Sequence, residues 1–94
     1  MAYVIEQKIS MMDLFHLNIS CGEDKYLVNH LEYLIKNGVI LHNNRYGFMY
    51  ILKSFSFTDS FMDDSRTYRF EIEILNGSVE DPKQLKDFRV LEVI

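Results

Sequence analysis

Past an opening strand over 3–9, the hydrophobic period of this 94-residue chain changes at Asn37-Gly38. Ahead of that point apolar residues recur every three to four positions, as on a helix; behind it they recur every two, as on a strand. A chain that writes its helices first and its strands afterwards is restricted to α+β architectures, with the helices gathered on one face of an antiparallel sheet. The helical part is clearest at Leu27, Leu31, Leu34 and Ile35, widened by Val28, with Asn29, Glu32 and Lys36 on the opposite side. Gly38 suits its C-terminus, because glycine takes the left-handed cap conformation without steric penalty.

A shorter helix is predicted over 11–18, where Ser10 stands three residues before Asp13 in a pattern close to a capping box. Cys21-Gly22 breaks it, and Glu23-Asp24 place negative charge at the start of the next helix. Residues 3–9 read as an opening strand with Tyr3, Ile5 and Gln7 on one side. In the strand-rich part, 39–41 is a strand, 42–44 a turn and 45–57 a long strand. Tyr46, Phe48, Tyr50 and Leu52 share one of its faces; Met49, Ile51, Phe55 and Phe57 share the other. With both faces apolar, it is either central or covered by helices on one side and by a partner on the other. Residues 58–65 form a polar connection. The strand 66–75 alternates, with Tyr68, Phe70, Ile72 and Ile74 inward and Thr67, Arg69, Glu71 and Glu73 outward. Asn76-Gly77-Ser78 turns the chain, Asp81-Pro82 opens a helical turn, and 88–94 closes as a last strand. The expectation is a single α+β domain over 1–94: an antiparallel sheet of four to five strands with two N-terminal helices packed on one face.

Function classes are narrowed mostly by what the sequence lacks. A formal charge of −4 argues against direct gripping of nucleic-acid phosphates. The single cysteine, Cys21, permits neither an internal disulfide nor a thiolate zinc site, which points to a reducing, cytoplasmic setting. The start has no basic leader region, and no apolar run is longer than Phe48-Met49-Tyr50-Ile51-Leu52, far short of the roughly 18 residues of a membrane span. His16, Cys21, His30 and His42 match no zinc spacing. A Cys21–His30 nucleophile pair is weighed against a small apolar cysteine in a loop, and the latter is preferred; His16 and Asp13 read as ordinary helix-surface neighbours. Glu71 and Glu73, roughly 7 Å apart on one strand face, have the geometry for a hard cation or an acid–base pair. A solvated strand face explains them better, with Arg69 beside them and Lys53 or Arg89 across the sheet to neutralise them. No calcium loop, phosphate cradle, nucleophile elbow or zinc-protease helix occurs. No catalytic, cofactor or metal residue is therefore assigned, and the chain is expected not to be an enzyme.

The stretch 54–64 looks least like scaffolding. It sets Phe61 and Met62 just after Phe55 and Phe57, amid Asp59, Asp63 and Asp64. Rigid aromatics and adaptable methionine rimmed by charge suit a protein-binding hot spot; the competing reading folds Phe61 back as a plug over the core. With Glu71 and Glu73 these residues form the expected partner-binding set. The two-sided apolar strand also fits a homodimer. The leading expectation is an acidic protein-binding module, of an inhibitor or immunity type, that blocks a partner with a basic nucleic-acid-binding surface. A winged-helix regulator competes because 34–40 leads from a helix into a hairpin; it requires Lys25, Arg45, Lys53, Arg66 and Arg69 to share one face, and it lacks a basic recognition helix. A small enzyme or ligand-binding domain requires a pocket joining Cys21 to His30 or His42, or Glu71 to Glu73.

Overall fold

The computed structural model describes residues 2–21, 26–43, 45–77, 88, 90 and 91, with 18–21 and 26 described by their backbone. In chain order these form β1 (Ala2–Ser10), α1 (Met11–Cys21), α2 (Tyr26–Lys36), β2 (Leu41–Asn43), β3 (Phe48–Ser60) and β4 (Ser65–Ile74). The strands make one antiparallel sheet in the order β1-β4-β3-β2, so the N-terminal strand returns to lie beside the last. The α+β fold expected from the change of period is present, with a four-stranded sheet and two helices.

The helices start and stop where local chemistry directs. Ser10 Oγ accepts a hydrogen bond from the Asp13 amide at 3.1 Å, satisfying one of the amides that a helix start leaves unpaired. At the end of α2, Gly38 has φ 56°, and the amides of Gly38 and Val39 donate back to Ile35 O and Leu34 O. Leu27, Leu31 and Leu34 of α2 and Leu14 of α1 are buried with Ile5, Tyr50, Leu52, Tyr68, Phe70 and Ile72 of the sheet in one core. Tyr68 and Phe70 stack at 5.6 Å, and Phe88 meets Tyr50 edge-on at 4.8 Å. Gln7 is buried on the same face as Ile5, where its Oε1 accepts the Leu91 amide at 3.1 Å and ties the C-terminal part to β1.

Several boundaries differ from the sequence reading. α1 continues to Cys21, beyond 18. Residues 39–40 are not strand, because the Val39 amide is held by the cap of α2; β2 begins at Leu41 and includes His42 and Asn43, which were expected in a turn. The turn comes later, where Asn43 Oδ1 accepts the Tyr46 amide and Asn43 O accepts the Gly47 amide at φ 73°. β3 therefore starts at Phe48, not Arg45. It also runs on to Ser60, so the expected polar connection over 58–65 contracts to a turn at 61–64.

A further correction concerns the faces of β3. Its register with β4 shifts between Leu52 and Ser54, leaving Lys53 as an extra residue. An extra residue reverses the alternation beyond it. Phe55 thus pairs with Phe70, and Phe57 with Tyr68, on the same face as Tyr50 and Leu52 and not on the opposite one. The helices cover this face. The other carries Met49, Lys53, Ser54, Ser56, Arg69 and Glu71, all exposed. Phe88, Val90 and Leu91 are buried but not in a strand, which removes those positions from the expected last strand; the rest of it, the helical turn at Asp81-Pro82 and Glu23-Asp24 lie outside the described residues.

Candidate protein-binding site at the hairpin end

The β3–β4 hairpin closes with Ser60 opposite Ser65, and its turn is fastened to the start of α1. The Met11 amide, one of the donors a helix start leaves free, donates to Asp64 O at 2.9 Å. The Asp63 carboxylate accepts from Ser65 Oγ at 2.6 Å and pairs with the Lys8 ammonium of β1. Asp64 takes φ 51°, a conformation that aspartate tolerates better than bulkier residues. Held in this way, the turn projects Phe61 and Met62 outward, 94% and 100% exposed. Phe61 is not a plug over the core. Met12, in the first turn of α1 and 69% exposed, adjoins the same end through the Met11–Asp64 bond.

Next to the turn, on the helix-bearing face, the Arg66 guanidinium binds Asp59 with Nε to Oδ1 at 2.6 Å and Nη2 to Oδ2 at 3.3 Å. It lies 3.9 Å from the centre of the Phe57 ring and donates a longer bond to the Tyr68 hydroxyl at 3.4 Å. A forked ion pair of this kind is geometrically specific, and stacking on an aromatic face adds to it. The bond from Arg66 draws the Asp59 carboxyl below its ordinary range, and Asp59 in turn raises the already high Arg66 value. Asp63 is held well below the usual carboxylate range by hydrogen bonds from Lys8 first, then from Ser65 and Ser60.

The residues expected to form one contact surface are therefore divided. Phe61, Met62, Asp63 and Asp64 share the turn; Phe57 and Asp59 lie beside it on the helix-bearing face; Phe55 is half-buried against the core. Glu71 and Glu73 lie on the other face, about 20 and 27 Å along β4 from the turn. Glu73 pairs with Lys53 at 3.6 Å, as the solvated-face reading expected, and Glu71 accepts from Ser54 Oγ at 3.5 Å. Asp59 and Asp63 are engaged within the molecule, whereas Asp64 has no ion pair among the described residues. Lys8 and Met12 were not expected at this site, and Arg66 was considered only as part of a basic face. Arg66 becomes legible only when the turn is set at 61–64, which places it directly opposite Asp59.

Of the basic residues that the winged-helix reading gathers on one face, those on the sheet are divided between its two faces. Arg66 lies on the helix-bearing face; Arg69 and Lys53 lie on the other, near Glu6 and Glu73. Lys25 and the Cys21 side chain are outside the described residues. One cleft, of about 260 Å³, is lined by Gln7, Ser10, Asp13 and Leu17 among others; another, of about 190 Å³, by Val4, Ser54, Arg69 and Glu71 among others. Neither of these two contains both Glu71 and Glu73. No group of His, Cys, Asp or Glu among the described residues is arranged to hold a metal ion, and no described helix is long and apolar enough to cross a membrane. Compared with known protein families, curated proteins and solved structures, the chain matches none.

Proposed function

We propose that this chain is a non-enzymatic, cytoplasmic protein-binding module that presents the turn at 61–64 to a partner protein. One observation carries the reading: Phe61 and Met62 are fully in solvent on a turn whose backbone and acidic side chain are fastened to α1 and β1. Leaving two large apolar side chains in water has no folding benefit, and anchoring their backbone lowers the ordering cost of docking. A partner would receive them in an apolar pocket, with Met12 and Phe57 at the margin. The net charge of −4 favours encounter with a basic partner, such as a protein whose own surface handles nucleic acid, and an inhibitor that blocks such a surface fits this charge. Because Asp59 and Asp63 are paired internally, charge would act on encounter and the apolar pair on residence. The test is affinity capture from host lysate, comparing the intact chain with the Phe61→Ser/Met62→Ser double variant. A protein retained by the first and lost by the second supports the reading. Salt-sensitive recovery of nucleic acid by both would replace it with the winged-helix alternative.

A further inference from the structure

Among the described residues, β3 has an unused edge. β4 pairs along one side of it, but β2 covers the other side only at Phe48, Met49 and Tyr50. Beyond that, no described strand pairs with β3 up to Ser60, and a row of backbone donors and acceptors faces outward. Natural sheets usually blunt such an edge with charges, bulges or a cover. The other outer strand, β1, carries Glu6 and Lys8 and is tied to Leu91 through Gln7. On β3 the bulge at Lys53 guards one end, yet Ser54-Phe55-Ser56-Phe57-Thr58 is uncharged, rich in aromatic and hydroxyl side chains, and extended.

That segment is nearly symmetric about Ser56. An antiparallel copy aligned on Ser56 sets Phe55 opposite Phe57 on the helix-bearing face, and Ser54 opposite Thr58 with Ser56 opposite Ser56 on the other. Aromatic pairs and hydroxyl pairs are the cross-strand combinations that stabilise a sheet. The middle of the segment is uncharged, so two chains of net charge −4 approach there without direct repulsion. Phe57, 42% exposed in the single chain, gains cover. We propose that the β3 edge over 53–59 pairs with the same edge of a second copy, about a two-fold axis at Ser56, joining two sheets into one. This is the closed, self-complementary contact characteristic of symmetric dimers. It is independent of the turn reading, since Phe61 and Met62 lie beyond the paired segment.

Sedimentation equilibrium of the full chain over a dilution series tests it, using the exposed Ser56 as the probe. Wild type is expected to sediment as a concentration-dependent dimer. Ser56→Lys and Ser56→Glu each place like charges directly opposite at the axis, and each is expected to raise the dimer dissociation constant about fivefold. An equimolar mixture of the two is expected to recover the dimer, with Lys facing Glu. Matching melting temperatures of the dissociated variants check that the fold is intact. A wild type that stays monomeric overturns the proposal, as does a dimer indifferent to both substitutions. So does weakening by the Glu variant alone, which would report overall charge and not this axis.

Discussion

Where α2 lies over it, the β3–β4 ladder is buried: Tyr50, Leu52, Phe70 and Ile72 belong to one apolar cluster with Leu27, Leu31 and Leu34. Some residues further along the same two strands, the helix-bearing face carries Phe57, Asp59 and Arg66, and the turn beyond it carries Phe61 and Met62 in solvent. The covered part is held by area removed from water, at about 1.5–3 kcal/mol for each large side chain fully buried. The hairpin end is held by a few directional contacts, each worth less: a stacked, forked ion pair, a lysine on Asp63 and one backbone bond to a helix start. Strand pairing alone extends the hairpin past the core, and polar fastening then fixes its tip without consuming the apolar side chains it displays. Stability and apolar display are thereby separated along one ladder, so that changes at one part need not disturb the other.

The sharpest contrast comes from the core. Phe70→Ala is expected to cost about 3–5 kcal/mol in unfolding free energy, measured by chemical denaturation, because the site lies between helices and neighbouring strands and collapses poorly. At the hairpin end, Arg66→Ala is expected to cost about 1–2 kcal/mol, since it removes the stacking on Phe57 and leaves Asp59 without its partner. Arg66→Lys should recover only part of this, lacking the planar fork. If Arg66→Ala were as damaging as Phe70→Ala, the hairpin end would be part of the core and the comparison would fail.

Tyr50 sharpens the comparison from the covered side. Its hydroxyl is buried with no hydrogen-bond partner among the described residues, and burial pushes its pKa up to about 12. Tyr50→Phe is expected to raise stability by about 1 kcal/mol, because an unsatisfied buried hydroxyl costs more than its absence. Alkali gives the matching sign: a phenol raised in the folded state contributes stability that is whole below about pH 10 and lost as pH rises towards 12. Acid acts on the hairpin end instead. Asp59 and Asp63 are depressed in the folded state, so their contribution is whole above about pH 4 and declines as pH falls below it. The Asp59→Asn/Asp63→Asn double variant should show a flatter fall of melting temperature between about pH 5 and pH 2 than wild type.

How much of this was legible follows the same division. The inward residues of β1, α2 and β4 stand at regular periods, so Ile5, Leu31 and Phe70 could be assigned to the core from the sequence. Short-range chemistry was legible too: the Ser10 cap and the Gly38 stop depend on neighbours within a few residues. The bulge at Lys53 was not, because an extra residue leaves no mark in an alternating pattern that is apolar on both faces; with it went the sidedness of Phe55 and Phe57. The Asp59–Arg66 pair was hidden by a turn placed too wide. Glu71 and Glu73 were grouped with the turn as paired acids on a neighbouring sheet face, and the register puts them on the other face. Phe61 and Met62 stood out because apolar residues in a connection are unexpected, although the sequence could not decide between plug and display.

The central claim is that Phe61 and Met62 serve contact and not folding, and the unfolding free energy of the Phe61→Ser/Met62→Ser double variant, measured beside wild type, tests it most directly. The account expects a difference within about 0.5 kcal/mol, the smallest effect in the series, as befits exposed positions with no packing to lose. A loss of about 3 kcal/mol or more, comparable to truncating a core side chain, would contradict it.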